Sequence, residues 1–391
     1  MNAGTIKVAF CENGAGYGGA VISLAAMLGH LPAQYKPFLY TSIGSEPYQQ
    51  LAELGSWRHV APVQFVSQAR IRASRLPFAS SFDNLLNVLP YAIKFYRHFL
   101  RDKIEMVYLN NDTSCNMAAA LAGKYAGLPL VLHARGFNVD TKGTRWMLAN
   151  LDHCIAVSHA VKDELLALGL APQKITVVPE GLDLNAFHPR PEAPLLREAL
   201  GIGAHDPVIT LVAGLVDWKG QDVLMDAAPA ILAQAPNAHI LLAGGAYGKD
   251  STFADMITRR ALDPALRGRV RVLGARGDIP DLLSISDVVL HTSTKPEPFG
   301  RTFLEGMALG KAVIASNEGG PLDVIENEID GLLIAPGQAP LLAKAVDRLL
   351  SEPAFASRLA ANAAVKATRY SIESHAAMVS MVLQRVSMAQ A

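Results

Sequence analysis

The residues best suited to chemistry lie near the C-terminal end, in Pro296 to Gly337, PEPFGRTFLEGMALGKAVIASNEGGPLDVIENEIDGLLIAPG. Glu297 and Glu305 sit eight residues apart, with a Pro-Phe-Gly turn at Phe299 and Gly300 between them. A carboxylate only accepts hydrogen bonds, so two of them suit a ligand rich in hydroxyls. Free backbone N–H groups at Gly300, Arg301 and Thr302 would meet an anion or sugar hydroxyls where a helix opens. A plainer reading also exists. Thr302-Phe303-Leu304-Glu305 has the form of a capping box, in which Glu305 only caps a helix, and Glu297 is then a solvated loop residue.

Positioning those side chains requires strand, loop, helix and strand in succession. The apolar run Val288-Val289-Leu290 predicts the strand that delivers Glu297. Phe303, Met307 and Ala308 have helical spacing, and Ala312 to Ala315 reads as the next strand before a Gly-Gly-Pro break. A carboxylate at the C-terminal end of a strand, before a glycine turn and a helix, is where open parallel sheets bind ligands. The pattern E-P-F-G-x(4)-E-[GA]-M-A resembles the family-four glycosyltransferases, which have the GT-B fold. The likeness continues through Gly319-Gly320-Pro321-Leu322-Asp323 and Asp330-Gly331-Leu332-Leu333. It implies that Glu297 meets the donor sugar and Glu305 the ribose of the nucleotide.

With 391 residues the chain has room for two or more domains, each with its own core. Half of the residues are hydrophobic, 18% are charged and the mean hydropathy is +0.21, which excludes a disordered chain. No run approaches the roughly 18 apolar residues of a spanning helix. Met1 to Lys7 leads straight into a strand with no secretory pattern, so a cytoplasmic location is expected. Cys11, Cys115 and Cys154 are scattered, without C-x-x-C or Cys/His metal spacing, and read as buried free thiols. Asn111-Asp112-Thr113 has the form of a glycosylation sequon and is taken as chance. Net charge is zero, but residues 1–190 carry 17 Lys and Arg against 13 Asp and Glu, and the remainder 18 against 22. The basic half suggests anionic partners, lipid head groups or a phosphorylated acceptor; nucleic acid is not expected at so small an excess.

Along the chain, the strand Ile6 to Phe10 runs into Gly14, Gly16, Gly18 and Gly19, then a helix from Ala20 to Leu31. Gly14, Gly16 and Gly19 fit G-x-G-x-x-G, but a dinucleotide site also expects an acid at the end of the second strand. That strand, Phe38 to Thr41, is followed by Ser42 and Ile43, so a nicotinamide oxidoreductase is disfavoured. The turn at Gly18 and Gly19 instead resembles the family's N-terminal glycine loop, which implies approach to the donor diphosphate. Segment 68–103 carries Arg70, Arg72, Arg75, Lys94, Arg97, Arg101 and Lys103 among aromatic residues. Such a helix could lie on an anionic membrane; the alternative is a packed helix with a solvated basic face. A polar loop, Asn110 to Asn116, precedes a helix from Met117 to Tyr125. At the end of the strand Leu128 to His133, Arg135 takes the place where the family usually has His. His133 alternates onto the same side, and which of the two faces the ligand is open. The family has Asn where Glu180 stands.

Phe187 to Asp206 lacks a clear period and is the candidate linker. The expected organisation is a Rossmann-like acceptor domain over 1–186, a linker over 187–206 and a Rossmann-like donor domain over 207–371. The helical pattern from Ile372 on is expected to pack back on the first domain. In the second domain, Leu215 to Gln221 resembles the family's diphosphate turn, in which an Arg and a Lys clamp the phosphates. Lys219 matches, whereas the Arg position is Gly214. Ala275 and Arg276 lie at the strand end that usually meets the base. The resemblance therefore implies a GT-B fold, two Rossmann-like domains facing across a deep cleft. It implies a retaining transfer of a sugar from a nucleoside diphosphate sugar to a carbohydrate or lipid-linked acceptor. Lys219, Glu297, Arg135 and His133 are the expected catalytic groups. Gly18, Gly19, Lys219, Ala275, Arg276, Glu297, Phe299, Gly300, Arg301, Thr302 and Glu305 are the expected donor contacts. No Asp-x-Asp motif is present, so neither a metal nor a cofactor is expected, and no carboxylate is marked as a nucleophile. The alternatives are a non-catalytic nucleotide-sugar-binding subunit and a nucleotide-sugar 2-epimerase.

Overall fold

A computed structural model of the chain describes residues 5–14, 16, 18–63, 84–188, 193–246 and 251–390. The chain divides into two compact units, Met1–Gly181 with Ile372–Ala391, and Leu182–Ser371. The first unit runs β1 (Ile6–Glu12), α1 (Gly19–Leu28), β2 (Tyr35–Thr41), β3 (Ser56–His59), α2 (Leu89–Asp102), β4 (Met106–Asn110), α3 (Thr113–Tyr125), β5 (Leu130–Ala134), α4 (Lys142–Asn150), β6 (His153–Ala156), α5 (His159–Ala167) and β7 (Ile175–Val177). Among the described residues these strands form a parallel sheet in the order β3-β2-β1-β4-β5-β6-β7. Val8 to Cys11, Val107 to Leu109 and Leu130 to Leu132 are fully buried, as a sheet covered on both faces demands. The order reverses between β1 and β4, so the ligand crevice of this unit is expected at the ends of those two strands.

The C-terminal helix, Ile372–Met388, turns Ile372, Ala376, Val379 and Leu383 into the same core as Val8, Phe10 and Leu24. Their spacing is one helical stripe. Two local expectations need correction. The polar stretch 110–116 is not all loop, because Asp112 accepts from the backbone N–H groups of Ser114 and Cys115 and starts α3 at Thr113. The edge strand β3 was not anticipated, since Ser56-Trp57-Arg58-His59 is half-buried at best and carries no apolar run.

The second unit runs α6 (Ala193–Ala199), β8 (Val208–Val212), α7 (Gln221–Gln234), β9 (His239–Ala243), α8 (Thr252–Ala261), β10 (Val270–Val272), α9 (Ile279–Ser284), β11 (Val288–His291), α10 (Arg301–Ala308), β12 (Ala312–Ser316), α11 (Pro321–Val324), β13 (Leu332–Ile334), α12 (Ala339–Ser351) and α13 (Pro353–Ala367). The described strands form a parallel sheet in the order β10-β9-β8-β11-β12-β13. Its reversal lies between β8 and β11. The stretch 187–206 contains the helix α6, although its sequence shows no period. Arg197 ties it down by donating to the carbonyls of Ile285, Gly203 and Asp206. Ile202, with Leu196 and Leu200, also packs against Val208, Leu241 and Leu282, so an arginine fork and a small apolar cluster together order the segment.

Candidate functional site

In the second unit, Lys219 follows β8 and Glu297 follows β11, one on each side of the reversal. Lys219 Nζ donates to both Glu297 oxygens, at 2.8 Å to Oε1 and 2.6 Å to Oε2. Ser293 Oγ donates to Oε2 at 2.9 Å, and His291 Nε2 stands 3.5 Å from the same oxygen. The Lys219 ammonium also lies 4.0 Å over the Trp218 ring. Glu297 is only 8% exposed. Burial pushes its carboxyl up, but the His291 hydrogen bond and the Lys219 charge outweigh it and hold the pKa at about 2. The carboxylate is therefore ionised at neutral pH.

Backbone geometry fixes this pair. Gly220 has φ +77°, and a Cβ there would lie 2.0 Å from the Thr292 carbonyl oxygen, so only glycine lets the Lys219 turn cross β11. The loop after β12 is laid equally close to Glu297, where the Gly320 N–H donates to the Glu297 carbonyl at 2.8 Å. The Gly-Gly break seen in the sequence thus supports the backbone of the acidic residue.

Helix α10 does not use a capping box. Its N-cap is Gly300 with no side-chain cap, and the Thr302 hydroxyl donates to the Val212 carbonyl at 3.0 Å. Glu305 lies inside the helix, nearly buried, with Oε1 3.5 Å from Arg301 Nε. Burial raises its pKa, against the opposing Arg301 charge. The Phe299 side chain is buried against Phe303 at 5.8 Å, so this residue can offer a ligand only its backbone. In the loop after β10, which includes Ala275, Arg276 Nε donates to Asp278 Oδ1 at 2.7 Å. A Cβ at Gly214 would meet nothing nearer than the Gly245 carbonyl at 3.9 Å. The space at the missing arginine is therefore open.

In the first unit, Glu12 ends β1 and Asn110 ends β4, again on either side of the reversal. Glu12 accepts from the Gly14 N–H at 2.8 Å and from the Asn110 side chain. It is 1% exposed, and burial raises its pKa. Arg135 Nε donates to Asn110 Oδ1 at 2.8 Å, and its Nη1 reaches both Glu180 oxygens at 2.5 and 2.6 Å. Arg135 Nη2 lies 3.3 Å from His133 Nδ1, so the two do share a side as alternation predicted. The Tyr108 hydroxyl contacts the same His133 nitrogen, and the ring stacks on His375 at 5.6 Å. Burial, with the Arg135 charge beside it, lowers the His133 pKa well below its usual value and keeps the ring neutral. The Arg135 side chain is 2% exposed and its charge is matched by Glu180. These two residues form an internal network and present no free charged group.

At the glycine loop, Gly18 is the extended N-cap of α1 and its carbonyl accepts from Val21 and Ile22. A Cβ at Gly18 would meet nothing within 4 Å, so packing does not require this glycine. Bare backbone on an open side is what close approach of a ligand needs. At the end of β2, the Thr41 hydroxyl donates to the Ile43 carbonyl, and no acid stands where a dinucleotide ribose would need one. Residues 68–83 of the basic segment lie outside the described residues, Arg70, Arg72 and Arg75 among them. In the remainder, Tyr91, Phe95 and Phe99 of α2 are buried in the unit. The outer face shows Lys94, Arg97 and Arg101 with Leu89, Ile93 and Leu100. The described helices include none long and apolar enough to cross a membrane.

Sequence reasoning missed His291, Ser293, Glu12 and Asn110. Only their position at strand ends on either side of the two reversals marks them, and strand order cannot be read from one chain. Glu180 was noticed as an oddity, without its partner.

The family described as Glycosyl transferases group 1 matches residues 193–366, and the family Glycosyltransferase Family 4 matches residues 17–186. The D-inositol 3-phosphate glycosyltransferase of Rhodococcus jostii is 31% identical over 236 residues, 59% of this chain and 52% of that protein. The chain therefore spans about half the length of such curated relatives. An Escherichia coli UDP-Gal:alpha-D-GlcNAc-diphosphoundecaprenol alpha-1,3-galactosyltransferase is 26% identical over 280 residues, 68% of this chain and 71% of that one. The crystal structure of HepE from Anabaena in complex with UDP and glucose superposes with a TM-score of 0.81 at 24% identity, covering 97% of this chain and 100% of that one.

Proposed function

The chain belongs to the family-four glycosyltransferases of GT-B fold, and from that membership we propose that it moves a sugar from a nucleoside diphosphate sugar to an acceptor hydroxyl, with retention at the anomeric carbon. One observation carries this reading. A fixed cation and an ionised, nearly buried carboxylate meet at the strand reversal of the second unit, at Lys219 and Glu297. In this reading Lys219, Arg301 and the first N–H groups of α10 receive the charge that develops on the leaving diphosphate. Glu297 accepts from a donor-sugar hydroxyl. Glu305 accepts from the ribose hydroxyls, which would stabilise a carboxylate that burial alone disfavours. His133 and Arg135 shape the end of β5 and leave donor binding to the second unit. This reading uses no metal ion, and no side chain is assigned as nucleophile.

The acceptor is proposed to be a carbohydrate or a lipid-linked sugar, handled by the first unit, in polysaccharide or glycoconjugate synthesis at the cytoplasmic side. The outer face of α2 supports peripheral contact with an anionic membrane, because Lys94 and Arg97 stand there beside three exposed apolar side chains, while Arg101 is paired with Asp102. Co-sedimentation with vesicles of phosphatidylglycerol should occur at low salt and fail at high salt. Absence of binding at low salt would remove the membrane from this reading.

The central test is a thermal-shift screen with UDP, GDP, ADP and their sugars, followed by donor turnover with EDTA present. A ligand held at 100 times its dissociation constant stabilises the native state by about 2.7 kcal/mol. Stabilisation by one nucleoside diphosphate and metal-free release of that diphosphate from its sugar are expected. Binding without any turnover would favour a non-catalytic binding subunit. Turnover that leaves a 2-epimer would favour the epimerase.

A further inference from the structure

We infer that Glu297 stands in for the donor's diphosphate: without donor it occupies Lys219, and an entering diphosphate displaces it and so frees it for the sugar. An ammonium has three N–H donors. Lys219 spends its charge on the two Glu297 oxygens, at 2.8 and 2.6 Å, with the Trp218 ring on it at 4.0 Å. Two of the three N–H donors are therefore committed to Glu297, and a diphosphate competes with this carboxylate for the ammonium. The two carboxylate oxygens are not equivalent. Oε2 is also held by Ser293 Oγ at 2.9 Å and faces His291 Nε2 at 3.5 Å. Oε1 accepts from Lys219. When Lys219 moves to a phosphate, Ser293 and His291 keep the carboxylate in place, and Oε1 becomes available to a hydroxyl.

The exchange couples the two halves of the donor. Nucleoside diphosphate alone must break the ion pair and leaves Oε1 without a donor. A sugar alone must compete with an ammonium for Oε1. The intact donor replaces both lost bonds at once, so each half strengthens the binding of the other, as linkage requires. The site thereby favours the intact donor over either fragment, which also assists release of the diphosphate once the sugar has left. This inference rests on the donor reading above.

Calorimetric titration of UDP, GDP and ADP into wild type, Glu297→Gln, Glu297→Ala, Lys219→Ala and the Glu297→Gln/Lys219→Ala double variant tests it. Contacting groups typically couple by about 0.5–3 kcal/mol, and about 1.4 kcal/mol is tenfold in affinity. Both Glu297 variants should therefore bind the preferred diphosphate about tenfold more tightly than wild type. Lys219→Ala should bind it more weakly, and adding Glu297→Gln to that variant should change nothing further. A wild-type crystal structure with the diphosphate removes any dependence on how the variants fold. It should show Lys219 Nζ on a phosphate oxygen and Glu297 still on Ser293. Unchanged or weaker binding by both folded Glu297 variants, or a Lys219–Glu297 pair still closed with diphosphate bound, overturns the inference and leaves the donor reading standing. No binding of any nucleoside diphosphate to wild type and variants alike overturns both.

Discussion

Glu297→Gln should destabilise the second unit in a way that depends on pH. The ordinary carboxyl value of 4.5 is held at about 2 in the folded chain. That gap of about 2.5 units, at about 1.36 kcal/mol per unit, makes roughly 3 kcal/mol the ceiling of what ionisation of Glu297 contributes at neutral pH. Glu297 is 8% exposed, so solvent screening reduces this little. Lys219 is 20% exposed in its side chain and can partly rehydrate once its partner is neutral, which brings the expected loss to about 2–3 kcal/mol. A depressed carboxyl stabilises the fold fully above its unfolded value, and the contribution fades as pH falls toward the folded value. The deficit of the variant should therefore be constant from pH 8 down to about 5. Below about 4.5 it should shrink by up to about 1.4 kcal/mol per pH unit. Urea unfolding at pH 7, 5 and 3.5 measures it, with an unchanged m-value as the check that the unfolded state is comparable. In a scan at pH 7 the corresponding drop is about 4–12 °C for a unit of this size. A deficit under about 1 kcal/mol at pH 7, or one of the same size at pH 3.5, would refute the electrostatic account of the pair. The same substitution is expected to bind nucleoside diphosphate more tightly, so stability and affinity should move in opposite directions.

Two backbone and burial predictions follow from the same geometry. Gly220→Ala, at φ +77° with its Cβ 2.0 Å from the Thr292 carbonyl, should lower stability by more than about 2 kcal/mol and disturb the Lys219 turn. Gly268→Ala, at φ +66° in open space, should cost only about 1 kcal/mol, and equal melting temperatures for the two variants would contradict the clash. In the first unit, Arg135→Met should cost about 3–5 kcal/mol, because it removes the guanidinium charge that balances the buried Glu180 carboxylate. Adding Glu180→Leu should restore most of that loss in denaturant titrations. Additive losses would mean that the two residues do not act as one pair.

The motif from Glu297 to Gly337 carried most of what the sequence alone could say. Periodicity placed the strands at Val288 to Leu290 and Ala312 to Ala315 within one residue of their observed bounds, because apolar runs between glycine turns are a local property. The glycines at 300, 319 and 320 were likewise legible, since positive φ and close approach leave glycine as the residue that fits. The partners of the site were not legible. That Lys219 closes on Glu297 across 78 residues depends on β8 lying beside β11, which the order of strands decides. That Arg135 and Glu180, two separate departures from the family pattern, form one ion pair depends on packing at the end of β5. The aromatic residues of α2 could face a membrane or a core by sequence alone, and only the sheet they cover turned Tyr91, Phe95 and Phe99 inward. Local chemistry determined which residues could act. The parallel sheets, each reversing its order once, decided which of them meet, because burial and charge pairing depend on neighbours that are distant in the chain.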